Sequence, residues 1–149
     1  VIYKNVMIIH GGRNNDNKIC DTWLFDFNKM EWNQIKLNKC VSIVPRSGHS
    51  ALIVNQFMLI FGGEGYENHP FALNIETMRI IKLKFIGNYV LGMNDYAADI
   101  ISNPNNENKK QIICFGGFNA DKSIIINSFT KLYLTDEITN PSQMPSEDI

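Results

Sequence analysis

The chain has 149 residues, 44% of them hydrophobic and 19% charged, the composition of a globular domain long enough to bury a sizeable core. Its 14 basic and 15 acidic residues leave a formal charge of −1, so no global field recruits nucleic acid or an anionic membrane, and no apolar run approaches the roughly 18–20 residues of a spanning helix. Cys20, Cys40 and Cys114 form no Cys-x-x-Cys pair and leave an odd one over, which favours reduced thiols and a cytoplasmic setting over a disulfide framework.

The first stretch, VIYKNVMII, is already strand-like and carries neither an initiator Met nor a signal-peptide pattern. The chain therefore reads as a piece of a longer polypeptide. The first apolar run ends in a glycine pair, MIIHGG at 7–12. After RNNDNKIC (13–20), expected as a loop, DTWLFDFNKMEW (21–32) gives a strand, a turn at Asn28-Lys29 and then Trp32. NKCVSIVPR (38–46) reads as a second loop and leads to PRSGHSALIV (45–54), another strand. Asn55-Gln56 links it to MLIFGG (58–63), a two-residue connection between apolar runs that signals a hairpin. HPFALNIETMRI (69–80) and RIIKLKF then supply two more strands around the turn Glu76-Thr77. IGNYVLGMND (86–95) and SNPNNENKK (102–110) read as loops, the latter solvated and of low complexity. IICFGG (112–117), the loop FNADKSIIIN (118–127) and the looser SFTKLYLTDEIT (128–139) complete a third unit, and a polar Pro-containing tail follows.

The doublets Gly11-Gly12, Gly62-Gly63 and Gly116-Gly117 lie 51 and 54 residues apart. A period of about 50 residues with strands throughout is that of a four-stranded propeller blade. A strand buried on both faces has an unbroken apolar run, because neither face meets water. The glycines then end it where the backbone needs positive φ or close approach to another chain segment. Between units, Phe71 takes the place of Trp23, Leu73 and Leu132 that of Phe25, Ile80 that of Trp32, and Cys114 that of Ile9 and Ile60. Trp23 and Trp32 are expected to fill the space between blades.

On these residues the chain resembles the kelch family of β-propellers. The resemblance rests on the apolar run plus Gly-Gly, Phe25-Asp26 with Trp32 six residues after Asp26, and Arg46 and His49 in the Pro-Arg-Ser-Gly-His-Ser approach to a first strand. It implies an all-β fold of kelch-type blades in an incomplete propeller: residues 1–37 (first strand missing), 46–84, a divergent blade at 92–139, and a polar tail at 140–149. The third unit lacks the Trp and has Tyr133 in place of Asp26. Gly48-His49 could also open a WD40 unit, but no Trp-Asp closes one. Since propellers close with about 4–8 blades, inner faces such as that of FMLIF are expected to lie open to water. The missing blades are expected from the rest of the polypeptide or from other copies.

Links from second to third strands, and from blade to blade, must emerge on one face, and they are the long, varied ones. Binding residues on a rigid scaffold concentrate in such loops, and the resemblance implies that this face grips protein or peptide partners. The candidates are Arg13, Glu64, Tyr66, Glu67, His69 and Phe118, with Arg13 as a carboxylate anchor and Tyr66 and Phe118 as aromatic contacts; ordinary solvated loop residues are the plainer account of them. His10 occupies the slot of Phe61 and Phe115 and reads as packing, His49 as a structural hydrogen bond, and no metal-ligand spacing occurs. Cys114 reads as a small core hydrophobe, and Cys20 and Cys40 as loop thiols. Phosphate-loop and nucleophile-elbow motifs are absent, nothing matches the ligands of the kelch-like copper oxidases, and no catalytic residue, cofactor or intrinsic activity is expected. The leading expectation is a protein-interaction module acting as a scaffold. The alternatives are a regulatory propeller of a larger enzyme, such as a kelch-containing serine/threonine phosphatase with its catalytic domain outside this chain, and an adaptor for a ubiquitin ligase.

Overall fold

The computed structural model describes residues 1–37, 43–64, 69–83, 93–103, 106–119, 123–126, 129–134 and 138, with the side chains at 103, 106–109 and 129 outside the described set. All its elements are strands: β1 (Ile2–Tyr3), β2 (Val6–Asn14), β3 (Asn17–Asp26), β4 (Glu31–Ile35), β5 (His49–Val54), β6 (Phe57–Gly62), β7 (Phe71–Asn74), β8 (Ile80–Lys82), β9 (Met93–Asn94), β10 (Ala97–Asn103), β11 (Asn106–Phe115), β12 (Phe118–Asn119), β13 (Ile124–Ile125) and β14 (Phe129–Tyr133). They form two four-stranded antiparallel sheets, β1-β2-β3-β4 and β5-β6-β7-β8, and a three-stranded sheet β10-β11-β14. A small ladder, β13-β12-β9, lies beside the third sheet in sequence. Four-stranded antiparallel units of this kind are what the repeat period leads one to expect of propeller blades.

Strand pairing reproduces the internal equivalences. Counting back from each doublet, Ile9 faces Trp23, Ile60 faces Phe71 and Cys114 faces Thr130; two residues earlier, Met7 faces Phe25, Met58 faces Leu73 and Ile112 faces Leu132. The first unit, expected to lack its first strand, carries a two-residue one. Lys4, at φ +51, turns the chain so that Ile2 pairs with Met7 and Tyr3 with Val6.

The core is two seams on either side of β6. All five residues from Phe57 to Phe61 are at most 1% exposed. Because successive side chains point to opposite faces, Phe57, Leu59 and Phe61 join Ile112, Cys114 and Leu132 in the seam with the third sheet. Met58 and Ile60 join Ile8 and partly buried Val6 in the seam with the first sheet. Each such side chain removed from water contributes about 1.5–3 kcal/mol. The expectation that FMLIF lies open is therefore wrong: it is the covered strand, flanked by a sheet on each side. The open faces belong to the outer units, where Ile9 is 44% and Phe115 47% exposed.

Three expected loops differ as well. Residues 13–20 form a hairpin extension in which Arg13 faces Lys18 and Asn14 faces Asn17, after a register shift between His10 and Gly12. Cys20 is thus an exposed strand residue and not a loop thiol; Cys40 lies outside the described residues. In 102–110, β10 and β11 pair up to Asn103 and Asn106. Polarity suggested a solvated loop there, but a hairpin needs only alternating exposure and its own backbone ladder. Within 118–127, β12 and β13 pair as a short hairpin.

Candidate functional site

The glycine doublets build the edge from which the candidate residues project. Gly62 has φ +69, and a Cβ there would lie 2.8 Å from the Met93 carbonyl oxygen and against the Tyr96 hydroxyl. The next residue, Gly63, donates its N–H to that same Met93 carbonyl at 2.6 Å. Gly12 does likewise toward Arg46 O at 2.8 Å. The first two doublets thus let the lead-in of the following blade hydrogen-bond directly onto the end of the preceding second strand. A ring completes the join: Tyr96 Oη donates to Phe61 O at 2.8 Å, and His49, at the equivalent place one blade earlier, is hydrogen-bonded to the His10 backbone.

Arg46 is 1% exposed. It donates from Nη1 to Gly62 O at 3.4 Å and from Nη2 to His69 O at 3.1 Å, and its guanidinium lies 5.1 Å from the Phe71 ring centre. It ties together both ends of the β6–β7 connection. His10 sits below it, its Nδ1 2.8 Å from the Thr22 hydroxyl and its ring edge-on to Phe71 at 5.4 Å. Burial first, then the neighbouring charge, pushes both His10 and His49 down to about 4. Both imidazoles are neutral at pH 7 and belong to the seam.

On the solvent side, Arg13 Nη2 donates to Glu64 Oε2 at 2.5 Å, and Lys18 Nζ reaches the same oxygen at 3.3 Å. Asn94 Nδ2 donates to Glu64 Oε1 at 3.4 Å. Asn94 is 3% exposed, and its Oδ1 has no donor among the described residues. Asn94 also pairs with Phe118 across β9 and β12. The structure thus joins three of the expected residues, Arg13, Glu64 and Phe118, in a line across all three units. Two cations converge on one carboxylate, which leaves one positive charge in excess. His69 contributes its carbonyl to Arg46, and its side chain is exposed. Tyr66 and Glu67 lie outside the described residues.

Lys18 and Asn94 escaped the sequence reading. Lys18 was missed because 13–20 was expected as a loop, whereas the hairpin register sets it opposite Arg13. Asn94 was missed because its place depends on how the third unit's lead-in folds over the second doublet. Phe118 is 38% exposed, with Ile124 at 49% and Ile125 at 82% beside it on the same small ladder. Cys114 is 2% exposed, and burial pushes its thiol up to about 11, consistent with an inert core residue. Among the described residues, no group of three His, Cys, Asp or Glu side chains is placed to hold a metal ion.

No curated protein matches the chain. A family model, the KLHDC2/KLHL20/DRC7 Kelch-repeats domain, matches residues 1–136. With repeated doublets, four-stranded sheets and lead-ins bonded blade to blade all pointing the same way, the chain belongs to this kelch-repeat family.

Proposed function

We propose that the chain is a non-catalytic protein-interaction module that binds a partner peptide along the loop edge from Arg13 through Glu64 and Asn94 to Phe118. Kelch-repeat domains suggest protein-protein interaction as a class. The observation that supports this particular surface is the continuity of the line: a carboxylate flanked by Arg13 and Lys18 at one end and exposed Phe118, Ile124 and Ile125 at the other. An acidic group of the partner would meet the excess cation, and an apolar side chain the Phe118 end. Arg and aromatic residues dominate such contacts because they combine area, fixed geometry and charge. Cytoplasmic residence accords with the odd, unpaired cysteine count.

The test is selection of peptides from a displayed random library, followed by titration of the winners against Arg13→Ala and Phe118→Ala. We expect enrichment of sequences pairing Asp or Glu with a large apolar residue, and a loss of at least about tenfold in affinity for each variant. Undiminished binding by both variants would remove this surface from consideration.

A further inference from the structure

The seam between the first and second sheets differs in kind from the one between the second and third. At matching positions the first holds His10 and His49 where the second holds Phe61 and Tyr96, and Arg46 where the second holds Met93. The ring centres of His10 and His49 lie 5.8 Å apart, and His10 is buried. His10 bonds through Nδ1 to Thr22 Oγ1 at 2.8 Å, and His49 to the His10 backbone. The other ring nitrogens, His10 Nε2 and His49 Nδ1, have no partner among the described residues. An imidazolium donates from both nitrogens, so a proton on either ring leaves one buried N–H without an acceptor and puts a charge beside Arg46. The charged groups facing the two rings are Arg46, on the lead-in to β5, and Asp21, on β3; β7 presents the uncharged Phe71 ring. Asp21 already accepts the Trp23 indole N–H at 2.7 Å. Its one carboxylate faces one guanidinium at neutral pH and three cations once both rings are charged. Burial first, and neighbouring positive charge after it, hold the pKa of both rings down to about 4 while the seam is closed.

Arg46 links this seam to the loop edge. It donates to Gly62 O and His69 O, at the two ends of the β6–β7 connection that carries Glu64. We propose that His10, His49 and Arg46 form a proton-operated latch: charging the imidazoles drives the guanidinium off Gly62 O and His69 O and frees the Glu64 segment from the loop edge. Repulsion between imidazolium and guanidinium is strong in a seam shielded from solvent. Opening hydrates both rings and restores their ordinary affinity for protons, so each proton taken up favours the open form. The second seam, with Phe61, Tyr96 and Met93, has no base at these positions and stays closed. The consequence for a partner rests on the peptide-binding role of the edge: a peptide held along Arg13, Glu64 and Phe118 is gripped at neutral pH and let go in acid.

Amide hydrogen exchange at pH 7 and pH 5, corrected for the intrinsic effect of pH on exchange, tests the latch without any partner. Gly63 and Glu64 donate their N–H groups to Met93 O and Ser47 O, beside the end that Arg46 holds. In the parent chain their protection should fall at least about tenfold at pH 5 relative to the amides of β11, in the third sheet. His10→Phe combined with His49→Tyr writes the residues of the second seam into the first and should abolish that fall. His69→Gln, which removes the exposed imidazole of the connection itself, should leave it in place. If the paired variant loses its β-sheet circular dichroism, His10→Phe alone carries the comparison, and the fall should shrink with one base removed. No fall in the parent, or an undiminished one without His10, would overturn the latch. A peptide selected on the Arg13–Phe118 edge then reads the consequence. From pH 7 to pH 5 the parent's affinity for it should drop at least about tenfold more than that of the paired variant. An equal drop in both would overturn the latch's hold on the edge. Selection of no peptide would remove the binding edge and leave the latch to the exchange result.

Discussion

His10 and His49 stand 5.8 Å apart between their ring centres, with Arg46 behind them and Asp21, Thr22 and Phe71 facing His10 from β3 and β7. Their imidazoles take up protons near pH 6.5 in the unfolded chain and near about 4 in the fold. Between those values the unfolded state binds more protons. Stability is therefore full above pH 6.5, falls as the pH drops toward 4, and levels off below that as far as these two groups are concerned. Urea midpoints measured at pH 7 and pH 5 should show the loss. His10→Phe, which writes in the residue of the equivalent slots, should reduce it to the share of His49 while costing about 1 kcal/mol at pH 7 for the bond lost by Thr22. A second residue-scale prediction concerns Gly62. Gly62→Ala combines a left-handed backbone with a clash against Met93 O and Tyr96, and should lower stability by about 2 kcal/mol or more. Gly116→Ala, at the similar φ of +74 but with Ile126 O no nearer than 3.7 Å to its Cβ, should cost less; equal losses would contradict the close-approach account. The slot shared by His10 and Phe61 was legible by aligning units. The commitment of Arg13 to Glu64 was not, because it is set by how two sheets meet at their edge.

At the scale of the element, the turns carry the repeat as much as the strands do. Asp26 Oδ1 accepts the N–H groups of Asn28 and Lys29 at 2.8 and 3.2 Å. Asn74 Oδ1 does the same for Glu76 and Thr77, both at 3.0 Å. Side chains of Asp and Asn close turns this way without any help from the core. Asp26→Asn should accordingly be nearly neutral, and Asp26→Ala should cost about 0.5–1.5 kcal/mol in chemical denaturation. If the two substitutions cost the same, the turn does not depend on that oxygen. Tyr133 holds the same place in the third unit and lacks any such acceptor. That unit's first three strands are described. Strand identity was readable from apolar runs, yet strand length was not. Residues 13–20 and 102–110 are polar enough to pass for loops, but backbone ladders carry β2, β3, β10 and β11 through them.

Across the whole molecule the account turns on β6 as a strand covered on both sides, with the outer sheets each covered on one. The unbroken apolar run made the burial legible. Which outer faces would stay exposed was misjudged from the sequence, because FMLIF looks no different from MIIH or IICF until the order of sheets is known. Leu59 and Ile60 are consecutive and both fully buried, one toward the third sheet and one toward the first. In a strand covered on one face only, truncating one of them would cost stability and truncating the other would cost next to nothing. The decisive measurement is the unfolding free energy of Leu59→Ala and Ile60→Ala, with Ile9→Ala on the exposed flank as reference, at protein concentrations where the chain is single. We predict losses of about 2–5 kcal/mol for each of the two β6 variants and under about 1 kcal/mol for Ile9→Ala. A large loss at only one of Leu59 and Ile60, with the other matching Ile9, would contradict the stacking of sheets on both sides of β6.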